Sequence, residues 1–187
     1  EIRAQGYTSI ARLLAAQLRT SRANRELRQS ALDELCGPLR AQPAIWTLLE
    51  IAATFNSSFP RQFLLELAGA EGLPDPPTVL GELLQKRLLQ QGDNGSNLWM
   101  PPPLREQVRA LTPASASVSR HRRAVMLYRE FHQPLTLAWH LYMGRSFAEA
   151  ARTIVQAAPL LIEELQFEEL REALARFESE QLTPDMW

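Results

Sequence analysis

VLGELLQKRLLQQGDNGSNLWMPPPLREQVRAL, residues 79–111, decides how the chain folds. Val79, Leu80, Leu83, Leu84 and Leu88 recur at the spacing of one helical face, so a helix here buries one side against a partner. The next six residues, Gly92 to Asn97, suit a chain reversal, because Gly accepts positive φ and Asn and Asp bond their own backbone. Leu88-Leu89-Gln90 and Leu98-Trp99-Met100 flank that reversal as the two strands of a small hairpin. Pro101, Pro102 and Pro103 interrupt the pattern, and a closing helix resumes with Leu104, Val108 and Leu111 inward.

The totals bound the class. The chain has 187 residues, 45% of them hydrophobic and only 8 of them Gly, which reads as globular and mainly helical. Twenty basic and 21 acidic residues leave a net charge of −1, so no global field draws in nucleic acid or anionic lipid. Lys86 is the only lysine, and nothing is read from that arginine bias. A single cysteine, Cys36, allows neither an intrachain disulfide nor a multi-cysteine metal site, and on an apolar helical face it reads as a buried, inert thiol. Neither a membrane span nor a signal-peptide pattern is visible, so a reducing, cytoplasmic setting is expected. A start at Glu1 with a helical pattern in place by Ile10 reads as a fragment of something longer.

Towards the N-terminus, Tyr7–Leu18 carries Ile10, Leu13, Leu14 and Leu18 on one stripe, with Thr8 or Ser9 as cap. Arg19, Arg22, Arg25 and Arg28 follow at intervals of three. They read either as a solvated face or linker or as a contact for phosphate or an acidic protein surface. Helical patterns at 31–39 and 45–55 are expected to break at Gly37-Pro38 and at Pro43, placing a domain start near Gln42. Ile45, Leu48, Leu49, Ala52 and Phe55 form the first core helix, and Phe63, Leu64 and Leu67 the second, with a Ser cap and Pro60 at its start. Asp75, Pro76 and Pro77 open the third. Three helices, a hairpin and a closing helix are the order of a winged-helix domain. Its reading helix would offer Thr78, Gly81, Glu82 and Gln85, with Lys86 and Arg87 only at the far end, and its wing Asp93, Asn94, Ser96 and Asn97. That is a poor surface for bases and phosphates. Trp99, one aromatic without basic neighbours, reads as a packing residue.

Towards the C-terminus, TPASASVS, residues 112–119, has the small polar composition of a hinge. Beyond it Val118, Ala124, Val125, Leu127, Tyr128 and Phe131 are expected inward, then Leu135, Leu137, Ala138, Leu141 and Tyr142 after Pro134. Gly144 closes that helix, Phe147, Ala150, Ala151, Ile154 and Val155 follow, and Pro159 is expected to begin another. Short helices with tight turns and alanines at contact points point to stacked helical hairpins.

Catalytic signals are missing from this reading, and no enzyme is expected. His132 and His140 lie eight apart across Pro134 without a Cys or carboxylate at a ligand interval, so surface or helix-end histidines are expected and no metal. Arg120, His121, Arg122 and Arg123 make the densest positive run, a candidate contact for phosphate or an acidic partner or simply a charged helix start. Glu163, Glu164, Glu168, Glu169 and Glu172 read as a solvated face. Nucleotide-phosphate and nucleophile-elbow motifs do not occur.

AIWTLLEIAATFNSSFPRQFLLELAG, the 79–111 stretch and the hairpins after Ser119 together resemble the middle of signal-transduction ATPases with numerous domains (STAND class), in particular maltose-regulator-like transcription activators. The resemblance implies three parts: 1–41, the end of a small helical domain; 42–112, a winged helix with a β-hairpin wing; and 113–187, a TPR-like arm of antiparallel hairpins. It implies a winged helix that lies on the adjacent nucleotide-binding domain as a lid, an arm that meets an effector or partner protein, and DNA contact through another domain. ATP would belong to the full-length protein and no cofactor to this segment. The family commonly has a phosphate-sensing histidine just after the second wing strand. Pro101 stands at that position and has no donor to offer. The competing expectations are a winged-helix DNA-binding transcription factor with a helical dimerisation tail, and a helical protein-interaction adaptor.

Overall fold

The computed structural model describes residues 22–92 and 94–177, with the side chains of 22–28 left aside. The chain divides into two compact units, Glu1–Thr112 and Pro113–Trp187. Nine helices and one small three-stranded antiparallel sheet make up the described residues, so the protein is mainly helical.

In the first unit α1 (Arg22–Arg40), α2 (Pro43–Ala53), α3 (Arg61–Ala70), α4 (Pro76–Gln85) and α5 (Pro102–Leu111) surround one core, with strands β1 (Phe59–Pro60), β2 (Gln90–Gln91) and β3 (Asn97–Trp99) at its edge. The most apolar helix, α2, packs against α1, α3, α4 and α5 and buries Ile45, Leu48, Leu49, Ile51 and Ala52. The expected break at Gly37-Pro38 does not occur. Pro38 lies two residues from the end of α1, in the last turn, and Glu34, whose carbonyl it leaves without its helical donor, is an exposed residue, so the missing bond falls on the solvent side of a helix end. Nor is α1 part of a separate body ending at 41. Leu32, Leu35, Cys36 and Leu39 are buried as α1 packs on α2 and α5, in the same core as 42–112.

The expected hairpin forms, but tighter than its apolar pattern indicates: the first strand starts two residues later and the second one residue earlier. Gln90 pairs with Trp99 and Gln91 with Leu98, while Leu88 and Leu89 are core residues before the strand. Across the turn the Gly92 amide donates to the Asn97 carbonyl at 3.0 Å, the Ser96 amide to Asn94 Oδ1 at 3.2 Å, and Gly95 takes φ +70°, which suits glycine. A third strand was not foreseen. Phe59 pairs with Leu98 and Pro60 with Asn97, giving the order β1-β3-β2. Two residues are too short for alternation to register, and what fixes β1 is the Phe55–Phe59 stack, centroids 4.2 Å apart. Trp99 is not a core residue: it is 38% exposed between buried Leu98 and Met100, as strand alternation requires.

In the second unit α6 (Ala114–Tyr128), α7 (Pro134–Met143), α8 (Phe147–Glu163) and α9 (Phe167–Leu174) follow one another through short turns. Each packs on the next, and α9 also packs on α7. The contacts are built on small side chains: Ala138, Ile154 and Ala173 form one cluster, and Val125, Leu141 and Ala150 another, with Phe177 against both. Two expectations fail here. The hinge expected at 112–118 shrinks to Thr112-Pro113, because Ala114 and Ala116 favour helix and Ser is tolerated in a first turn. Pro159 does not begin a helix but lies inside α8 on its exposed side, four residues after exposed Val155, whose carbonyl loses its amide donor, while the inward face continues to Leu161. Val155 and Phe131, expected inward, are exposed. The turns after α7 and α8 close through left-handed residues, Arg145 (φ 68°) and Leu165 (φ 59°), with Ser146 and Gln166 amides each donating back to Leu141 and Leu161 carbonyls at 2.8 Å.

Candidate functional site

The most unusual chemistry among the described residues is a pair of buried imidazoles. His121 and His140, 2% and 0% exposed, bring their Nδ1 atoms to 3.1 Å. Helical periodicity places them. His121, Val125 and Tyr128 fall at i, i+4 and i+7 on the inward face of α6, and His140 lies among Ala138, Trp139 and Leu141 on α7. Aromatic rings enclose the pair. Tyr128 stacks on His140 at 5.0 Å and 23°, and Trp139 meets both imidazoles edge-on at 4.8 Å. Burial pushes the Tyr128 phenol up to about 12.

Such a contact fixes proton positions. For Nδ1···Nδ1 at 3.1 Å to be a hydrogen bond, one nitrogen carries a proton and the other accepts it. The arrangement can hold or share one proton between the rings. A metal would need further ligands, and no group of three His, Cys, Asp or Glu side chains able to hold one occurs among the described residues. The expectation of surface or helix-end histidines therefore fails for His121, which is buried in mid-helix; His140 does lie in the last turn of α7 but is buried, and His132 is exposed. The legible signal was that both alternate with apolar residues in a 3.6-residue pattern. At His121 the adjacent arginines mask it.

That run is dispersed by the helix. Arg120 is buried beside His121, Arg122 donates through Nε to the Gly144 carbonyl at 2.9 Å at the end of α7, and Arg123 is exposed. Gly144 is the residue that fits: a Cβ there would lie 3.1 Å from the His140 carbonyl and 3.2 Å from Arg122 Cγ. Of the earlier arginines, Arg19 and the side chains of Arg22, Arg25 and Arg28 lie outside the described residues; the backbone of the last three is in α1.

In the first unit two cations that no motif singles out do structural work. Arg109 of α5 donates through Nε to the Ala53 carbonyl at 2.6 Å and through Nη2 to Phe55 at 3.0 Å, and Arg105 donates to Asn56. The Ala53 carbonyl is left open at the end of α2, and those of Phe55 and Asn56 follow it in the next turn of chain, where positive charge is favoured. Burial, then the Arg105 charge, hold Arg109 down to about 10, still charged at neutral pH. Cys36 is buried, and its thiol is pushed above the ordinary range by burial first and Asp33 second.

Of the α4 face, Thr78, Gly81, Glu82 and Gln85 are exposed as expected, and Lys86 pairs with Glu82 at 3.2 Å. Pro101 precedes α5, its carbonyl accepting the Arg105 amide at 3.0 Å. No helix among the described residues is long and apolar enough to cross a membrane. Comparison with protein-family models, with curated proteins and with solved structures finds no match to the chain.

Proposed function

We propose that the chain is a non-catalytic regulatory segment of a STAND-type ATPase transcription regulator, with a winged helix at 42–112 acting as lid on a nucleotide-binding domain. In this reading the helical hairpins of 113–187 are a TPR-like arm that relays the binding of an inducer or partner protein. The observation that carries it is the order α2, β1, α3, α4, β2, β3 with the strands arranged β1-β3-β2. A short strand between the first two helices joins the hairpin that follows the third, which is how a winged helix is laid out.

The surface chemistry favours a lid over a DNA reader. A reading helix offers arginine, asparagine, glutamine or lysine to base edges and carries cations for the phosphates. Here Lys86, just past the end of α4, is tied to Glu82, Arg87 beside it is a single exposed cation, and the exposed hairpin residues Asn94, Ser96 and Asn97 are neutral. DNA contact in the full-length protein then falls to another domain. With Pro101 where the family's phosphate-sensing histidine would stand, nucleotide is held by the adjacent domain and not by this segment. Isothermal titration of the 187-residue chain with Mg-ATP is expected to give no binding heat. Saturable binding in the micromolar range would remove the proposal.

A further inference from the structure

We propose that the His121–His140 pair makes the second unit acid-sensitive: the α6–α7 contact holds while the two Nδ1 atoms share at most one proton and loosens when both take one. The constraint is geometric. At 3.1 Å the two nitrogens are at hydrogen-bonding distance with one proton between them. A second proton turns both into donors facing each other, removes the acceptor, and sets two positive rings with centroids 5.1 Å apart in a buried place. This holds whatever either Nε2 contacts.

The charged groups that the described residues place on the elements around the pair are these. On α6 the buried neighbour in sequence is Arg120, itself a cation, and Arg122 is bound to Gly144. The Tyr128 phenol over His140 stays neutral far into the alkaline range. On α8 the buried positions are Ala150, Ala151, Ile154 and Leu161, while Glu149 pairs with Arg129 and Arg152 and Glu163 are exposed. On α9 the buried residue is Ala173, and Glu168, Glu169, Arg171 and Glu172 are exposed. Closing α7 on α6 depends on His140 and its neighbours, and Gly144, which receives Arg122, is one turn further on. Expelling the pair therefore acts on the segment that seats α7.

The sign follows from proton counting. In an unfolded chain each imidazole is protonated below about pH 6.5, whereas the folded pair excludes at least one of the two protons, so stability is present above that pH and is lost as pH falls. At pH 5 one excluded proton raises the unfolding equilibrium constant about 30-fold. The test is urea unfolding of the full chain at pH 7 and pH 5, followed by amide exchange in residues 114–174, for wild type and His121→Asn. Asparagine can place a donor or acceptor near the lost Nδ1 and removes one proton site. Wild type is expected to lose about 30-fold more stability than the variant across this range, and the same loss within threefold overturns the proposal. Should the variant fail to fold, ¹⁵N spectra of wild-type imidazoles decide. One Nδ1–H and one Nε2–H tautomer at pH 7, with amide shifts changing as the second proton is taken up, support the proposal. Two fully protonated rings in a chain with an unchanged amide spectrum refute it.

Discussion

Replacing Arg109 by methionine removes a clamp that one helix places on the end of another. The methionine keeps most of the aliphatic stem, so the packing of α5 on α2 changes little and the loss is that of the two bonds to Ala53 and Phe55. Both acceptor residues are buried, at 1% exposure each, so water reaches their carbonyls poorly once the guanidinium is gone. A hydrogen bond from a charged donor contributes about 1.5–3 kcal/mol. Because Arg109 is itself half-buried, the lower end applies, and the pair amounts to about 3 kcal/mol. Arg109→Lys retains the charge and one donor direction and should lose about half of that. With a urea dependence of about 1.5 kcal/mol per molar, the methionine variant unfolds about 2 M earlier. The assay is urea denaturation followed by fluorescence in a background where Trp99, Trp139 and Trp187 are phenylalanine, so that the signal comes from Trp46, which lies in α2 and donates to Glu50 at 2.9 Å. A loss under about 0.5 kcal/mol for methionine, or equal losses for methionine and lysine, would refute the capping argument.

Phe59→Ala empties a buried site that stacks on Phe55 and pairs with Leu98, and should cost about 3–5 kcal/mol by thermal or urea unfolding. Leu165→Gly relieves a left-handed residue that is 74% exposed, and should raise the unfolding free energy, measured by urea denaturation, by about 0.5–1 kcal/mol once the added freedom of the unfolded chain is subtracted. Tyr128 loses its proton at about 10 when unfolded but at about 12 when folded, so the stability it confers is present below pH 10 and is lost as pH rises towards 12. In Tyr128→Phe, denaturation curves taken from pH 9 to pH 12 should show that part of the alkaline loss gone.

Long-range periodicity made most of the helices legible. The stripes Ile45–Phe55, Phe63–Leu67 and Val79–Leu83 become buried faces of α2, α3 and α4, because a helix of ten residues repeats its apolar positions often enough to be read. Prolines misled twice, at Pro38 and Pro159. The sequence identifies the bond that is lost but not which side of the helix it falls on, and in both places the residue whose carbonyl loses its donor, Glu34 or Val155, is exposed. Composition misled at 112–118, where small residues that also begin helices were read as a hinge. The two-residue strand β1 has no pattern to read and exists through a tertiary contact. The imidazole pair was out of reach for a similar reason. Each histidine could be placed on a helical face, but their meeting depends on how α6 lies on α7, and an adjacent arginine run concealed the inward one.

The contrast between a regulatory lid and a DNA reader is drawn most directly by fluorescence anisotropy of labelled duplex DNA titrated with the full chain between 50 and 200 mM salt. No association tighter than about 100 μM is expected at any salt, because Thr78, Gly81, Glu82 and Gln85 of the α4 face carry no cation, Lys86 beyond its end is paired with Glu82, Arg87 stands there as a single exposed cation, and the exposed hairpin residues are neutral. Micromolar binding that weakens steeply over that range would mean several phosphate contacts and would contradict it.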